Sequence, residues 1–130
     1  MPQSSRRSPA TACLLACLLP GLGHLYLRRW VKGVVFLSAI GTLFVLGIVM
    51  DARLSHPVGW GDPLAWLRCA AQMAIGLPYF IATRAFELGL DERLVTSVTH
   101  EYGNTFTEAG GLLNVLVILD AYDIAVGRKR

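Results

Sequence analysis

Apolar residues in this chain fall into blocks separated by short polar stretches. The cleanest block is residues 33–50, Gly-Val-Val-Phe-Leu-Ser-Ala-Ile-Gly-Thr-Leu-Phe-Val-Leu-Gly-Ile-Val-Met, which carries no charge over 18 positions. A run of about 17–25 apolar residues is what the hydrocarbon core of a bilayer requires. In lipid it must be helical, because its peptide groups have no water to bond. Three further hydrophobic segments lie at about 10–27, 63–84 and 110–126, with polar connectors at 51–62 and 88–109. The pattern predicts an all-α fold: a small polytopic helical membrane protein with three to four hydrophobic helices in one domain over residues 1–130.

The first segment is broken. Residues 10–19 cover only about 15 Å at the helical rise. Pro20 has no amide proton, and Gly21 and Gly23 tolerate backbone angles that other residues avoid. Residues 20–27 therefore complete the crossing or turn back, carrying His24 and Tyr26. Arg28, Arg29 and Lys32 follow around Trp30, with basic heads suited to the phosphate layer and an indole suited to its boundary. Small residues one turn apart, Ala12 with Ala16 and Ala70 with Ala74, allow close helix approach. Ser38 and Thr42 could face a neighbouring helix. Asp62-Pro63 reads as the cap and first turn of the third helix, and Pro78 as a kink in it. Leu90, Leu94, Val95, Val98 and Tyr102 fall near one face of a short surface helix or, equally, belong to a solvated connector. Gly103-Asn104 reads as a turn. Trp60 is an interfacial anchor, and His56 and His100 are isolated loop histidines.

Composition agrees with lipid. Apolar residues make up 54% of the chain and charged residues 16%, against about 25% charged in a soluble domain. The net charge of +3 is small, and the basic residues flank hydrophobic blocks instead of forming a patch interleaved with aromatics. That gives nucleic acid little support as a partner, so none is expected, and suits topology signals and anionic head groups. Cys13, Cys17 and Cys69 make no disulfide framework and read as small buried apolar residues. Leu14-Leu15-Ala16-Cys17 has a lipobox look and Ser5-Arg6-Arg7 a faint twin-arginine look, but Pro9 and the apolar run beyond Cys17 favour an uncleaved first helix over a signal peptide.

Charge leaves the number of crossings open. With four crossings and an internal N-terminus, Arg6, Arg7, Arg53, Arg68, Arg128, Lys129 and Arg130 lie inside, with Arg28, Arg29, Lys32, Arg84 and Arg93 outside. If the first and last blocks dip in and return, so that only 33–50 and 63–84 cross, every basic residue except Arg53 and Arg68 shares one side. Three crossings are the remaining arrangement.

The stretch Pro20-Gly21-Leu22-Gly23-His24-Leu25-Tyr26-Leu27, followed by Arg29 and Lys32-Gly33, resembles the two-transmembrane-helix domain family. Leu25 stands where that pattern has an aromatic residue and Arg28 where it has a glycine. The tail from Gly110-Gly111-Leu112-Leu113-Asn114 to Leu119-Asp120-Ala121-Tyr122-Asp123 is similar to the ending of a family of uncharacterised bacterial membrane proteins that also carry Pro-Gly-Leu-Gly. The resemblance implies a bacterial inner-membrane, multi-pass protein of helical hairpins and implies no reaction. Pro20, Gly21, Gly23, Tyr26 and Gly33 are the structural turn in this reading.

Polar groups at membrane depth are costly and are functional candidates by default. Here they are His24, Asn114, Asp120 and Asp123, with Arg28 and Arg29 beside the turn. Asp120 and Asp123 share a helix face that could meet His24 or Arg28/Arg29 and so join the two ends of the chain. Otherwise they lie in the interface near Arg128 and Lys129. A metal or proton site on His24 and the carboxylates is a third reading. No catalytic, cofactor or metal motif is present, as no Gly-rich loop follows a strand and no Ser/His/Asp set or HExxH occurs. The expected function is a non-enzymatic accessory or assembly subunit, with the lipid bilayer and other membrane helices as partners in a hetero- or homo-oligomer. The alternative is a small oligomeric transport or ion-handling protein, and an enzyme acting on lipid ranks third.

Overall fold

The computed structural model describes residues 7–54, 61–85 and 98–129, apart from the His100 side chain. The described residues hold helices and no strands: α1 Pro9–Leu18, α2 Leu22–Tyr26, α3 Trp30–Val49, α4 Pro63–Met73, α5 Leu77–Ala85 and α6 His100–Val126. Two are long and apolar enough to cross a membrane, Trp30–Val49 and Glu101–Val126, and a third span would come from α4 and α5 together. At 1.5 Å per residue they are about 30 and 40 Å long, enough for the hydrocarbon core.

α3 and α6 run antiparallel. Gly47 and Gly103 lie back to back at one end, and a side chain on Gly103 would come within 2.7 Å of the Gly47 carbonyl. Gly110 faces Ile40 halfway along α3, and Lys32 meets Asp120 at the other end. α4 runs parallel to α6, in register through Arg68 with Glu108 and Ala74 with Asn114. Between those pairs the Ala71 carbonyl lies directly against Gly111, leaving no room for a β-carbon.

α1 and α2 form a hairpin. α1 ends where Leu19 turns extended and Gly21 takes φ 85°, a conformation that favours glycine. α2 packs back on α1 through Gly23, against Ala12 and Ala16. Arg7 donates to the Tyr26 carbonyl and lies 5.0 Å over the Tyr26 ring, so α2 ends level with the start of α1.

Several expectations need correction. Residues 63–84 are not one helix kinked at Pro78. α4 and α5 are bent by 104°, and the break is at Gly76, φ +91°, which puts Pro78 near the start of α5, where proline is tolerated. The last helix begins at His100, not near 110, and runs straight through Gly103-Asn104. Gly103 is there for its close approach to α3, not for a turn. On α4 the residue facing α6 closely is Ala71, while Ala70 is exposed. Ser38 and Thr42 are exposed and donate to backbone carbonyls of their own helix. Of the cysteines only Cys69 is fully buried, while Cys13 is half-buried and Cys17 exposed. The surface-helix residues Leu90, Leu94 and Val95, and also His56 and Trp60, lie outside the described residues.

Leu54, Ile75, Tyr79 and Ala82 form the core on the α4–α5 side, with Phe44 and Ile48 packed against it. The outward face of α3 stays bare. Val31, Val34, Val35, Val45, Leu46 and Val49 are all exposed, an apolar surface too large for water and suited to lipid.

Candidate functional site

Several polar assemblies occupy the bundle. The first joins the ends of the chain. α2 carries His24 into full burial, with its ring edge 5.0 Å from Phe36. Its Nε2 is 2.9 Å from Oδ2 of Asp120, on the last turns of α6. Lys32, in the first turn of α3, donates to the same oxygen at 3.3 Å, and Lys129 donates to Oδ1 at 2.9 Å. A carboxylate between two ammonium groups is ionised and only accepts, so His24 Nε2 donates. The buried Nδ1 has no partner among the described residues. Outside the helix, the hydrogen bond that the Lys129 ammonium donates to Asp120 holds it above its ordinary pKa.

The second assembly lies deeper. Asn114, fully buried, donates its amide to the Ala16 carbonyl at 3.2 Å and to the Ala74 carbonyl at 2.8 Å. It thus ties the last turn of α1 to the end of α4. Nearer the other end of the bundle, buried Gln72 donates to Thr107 at 3.1 Å and to the Arg53 carbonyl at 3.3 Å, while Arg53 N–H donates to Asn104 at 2.7 Å. Arg68 pairs with Glu108 at 2.7 Å.

A family model, "Family of unknown function (DUF6677)", matches residues 11–130. The chain belongs to that family. No curated protein and no solved structure matches it.

In this DUF6677 chain the sequence candidates separate. His24 and Asp120 come together. Asp123 points elsewhere and pairs with Arg128 at 3.9 Å. Arg28 and Arg29 are exposed at the same end, and Lys32 stands beside the carboxylate in their place. Asn114 belongs to the deeper assembly. Pro20, Gly21, Gly23 and Gly33 are buried, with Gly23 inside α2 and Gly33 inside α3, and Tyr26 is half-buried at the end of α2. Among the described residues no three His, Cys, Asp or Glu side chains converge. Each Asp120 oxygen accepts from an ammonium group, which a metal ion would have to displace. Sequence reasoning missed Lys32 as a partner, and also the Gln72–Thr107 and Arg68–Glu108 pairs. Gln72 could have been flagged as an amide inside an apolar block.

Proposed function

We propose that this DUF6677 chain is a non-enzymatic bacterial inner-membrane protein that crosses the bilayer twice, through α3 and α6. In this reading it is an accessory or assembly subunit that packs against helices of other membrane proteins. The observation that carries the reading is Asp120. Both its oxygens are taken up by His24, Lys32 and Lys129 of the same chain, so the one charged group joined to a buried histidine holds the fold and is not free for chemistry. The bare face of α3 is the surface left for a partner helix. A shallow groove there runs along Ser38, Gly41, Thr42, Val45 and Leu46, and close packing over small residues is what drives helix association in lipid.

Antiparallel α3 and α6 put Arg7, Arg28, Arg29, Lys32, Arg128 and Lys129 at one end of the bundle. Asp51, Asp62 and Glu101 stand at the other, with Arg53, and the Arg68–Glu108 pair lies about two turns further in. The positive end faces the cytoplasm by the charge rule. A helical hairpin ahead of a spanning helix also fits kinship with the two-transmembrane-helix domain family.

The test is a photo-crosslinking residue at Val45 in growing cells. One discrete adduct with a different membrane protein, co-purifying in mild detergent, is expected. Adducts only between copies of this chain would overturn the subunit reading. They would favour the transport alternative, which the buried Nδ1 of His24, without a partner among the described residues and beside Asp120, supports.

A further inference from the structure

α1–α2 and α4–α5 are built alike. Each starts on a proline at the first helical turn, Pro9 and Pro63. Each breaks at a buried glycine with positive φ, Gly21 at 85° and Gly76 at 91°. Each returns as a short helix ahead of a long apolar one, α3 or α6. The two breaks meet. A β-carbon on Gly76 would be 2.8 Å from the Leu18 carbonyl and nearer still to that of Cys17. Asn114 donates to the last turn of α1 and to the residue after α4. The meeting point lies halfway along both long helices. Leu19, Pro20, Ile75 and Pro78 line one small apolar cavity there with Ile40 of α3.

The directions are opposite. α1 starts at the end of the bundle that holds Arg28 and Lys129, since Arg7 reaches Tyr26. α4 starts at the other end, since it runs parallel to α6. After its 104° bend, α5 packs Tyr79 and Ala82 against Leu54, which follows the far end of α3. We propose that both broken segments are half-crossing hairpins that enter from opposite leaflets, making the chain an inverted pair of hairpin-plus-span units, and that Asn114 is the latch that seals their junction at the bilayer centre. The proposal rests on the two-crossing reading of α3 and α6.

The chemistry of the junction gives its role. Irregular backbone at membrane depth survives only when buried in protein. Both half-helices present C-terminal carbonyls at the junction. In transporters built from inverted repeats, such carbonyls at helix breaks hold a cation. Here the amide of Asn114 takes two of them, so a side chain does the work of an ion and the junction is closed.

Single cysteines at Arg29, Asp62, Ala85 and Arg128, with Cys13, Cys17 and Cys69 replaced, are probed with a membrane-impermeant thiol reagent in cells and in inverted vesicles. The result expected is 29 and 128 on one side, with 62 and 85 on the other. In a second chain Cys17 is kept, Leu77→Cys is added, and a short bifunctional thiol reagent is applied. It should link the two positions, and Asn114→Leu should lower the yield by about fivefold or more. Labelling of 29 and 128 from opposite sides would overturn the two-crossing reading itself. Labelling of 85 from the side opposite 62 would make α4–α5 a full span and overturn the hairpin. Correct sidedness with no link between 17 and 77, or with a link that Asn114→Leu leaves unchanged, would overturn the latch alone. If Asn114→Leu does not accumulate, the sidedness pattern and the link in the Asn114 chain decide.

Discussion

Asn114 and Asp120 lie on one helix and do opposite kinds of work. Asn114, in the middle of α6, is neutral, fully buried and bonded to two main-chain carbonyls. Asp120, two turns on, is charged, 17% exposed and held by two ammonium groups and an imidazole. In the proposed two-crossing reading the difference follows from the medium. Deep in hydrocarbon an amide can satisfy stray carbonyls without bringing a charge, whereas an ion there is costly even when paired. Near the head groups a carboxylate keeps some hydration, and cations are to hand. One helix thus grades its polar groups by depth.

The comparison breaks first at its backbone contacts. Gly111→Val would push α4 off α6 at the Ala71 carbonyl and should cost about 3 kcal/mol in unfolding in mild detergent. A loss under about 1 kcal/mol would mean that the close approach is not needed. Next comes Asn114→Ala, which strands two carbonyls and should cost about 2 kcal/mol, with little change on adding salt. Asp120→Asn keeps the shape but removes the charge. Because lysine heads and solvent screen that site, about 1 kcal/mol is expected, shrinking as salt is raised. If Asp120→Asn proved the more damaging of the two, charge and not depth would govern this helix. Arg68→Met, at a half-buried pair, should cost about 0.5 kcal/mol by the same melt.

The smallest effect is that of pH. A group whose pKa is raised on folding contributes stability below its unfolded pKa and loses it as pH climbs through the folded one. For Lys129 that window lies above the ordinary lysine range. The drop in melting point on replacing Lys129 by Gln should therefore stay constant as pH rises from about 6 to about 9. A Lys129-dependent step inside that range would mean that the lysine does not meet Asp120.

Much of this was readable from residues, and the failures have causes. The chargeless run 33–50 lies within α3 and its cap because nothing but a helix suits such a run in lipid. A lone histidine and a pair of carboxylates in apolar surroundings invite one another, and His24 lies on Asp120. The identity of the cation was not readable. Arg28 and Arg29 lie in the link before α3, Arg28 with φ 60°, while Lys32 sits in the first turn of the helix on the side that meets α6. The start of α6 was hidden because Gly103-Asn104 has the composition of a turn. Only the opposing Gly47 reveals that this glycine serves packing. The break in the third block was assigned to Pro78 because proline is the usual offender, yet a proline early in a helix costs nothing and Gly76 makes the bend. Both misreadings arose where a glycine answers to a distant partner, which local sequence cannot reveal.

The central claim is that polar groups within the bilayer hold this fold together, joining the two ends of the chain through one pair of side chains. A double-mutant cycle tests it directly, comparing His24→Ala, Asp120→Asn and both together by unfolding in mild detergent. A coupling of about 0.5–1 kcal/mol is predicted. Effects that add to within about 0.3 kcal/mol would contradict it.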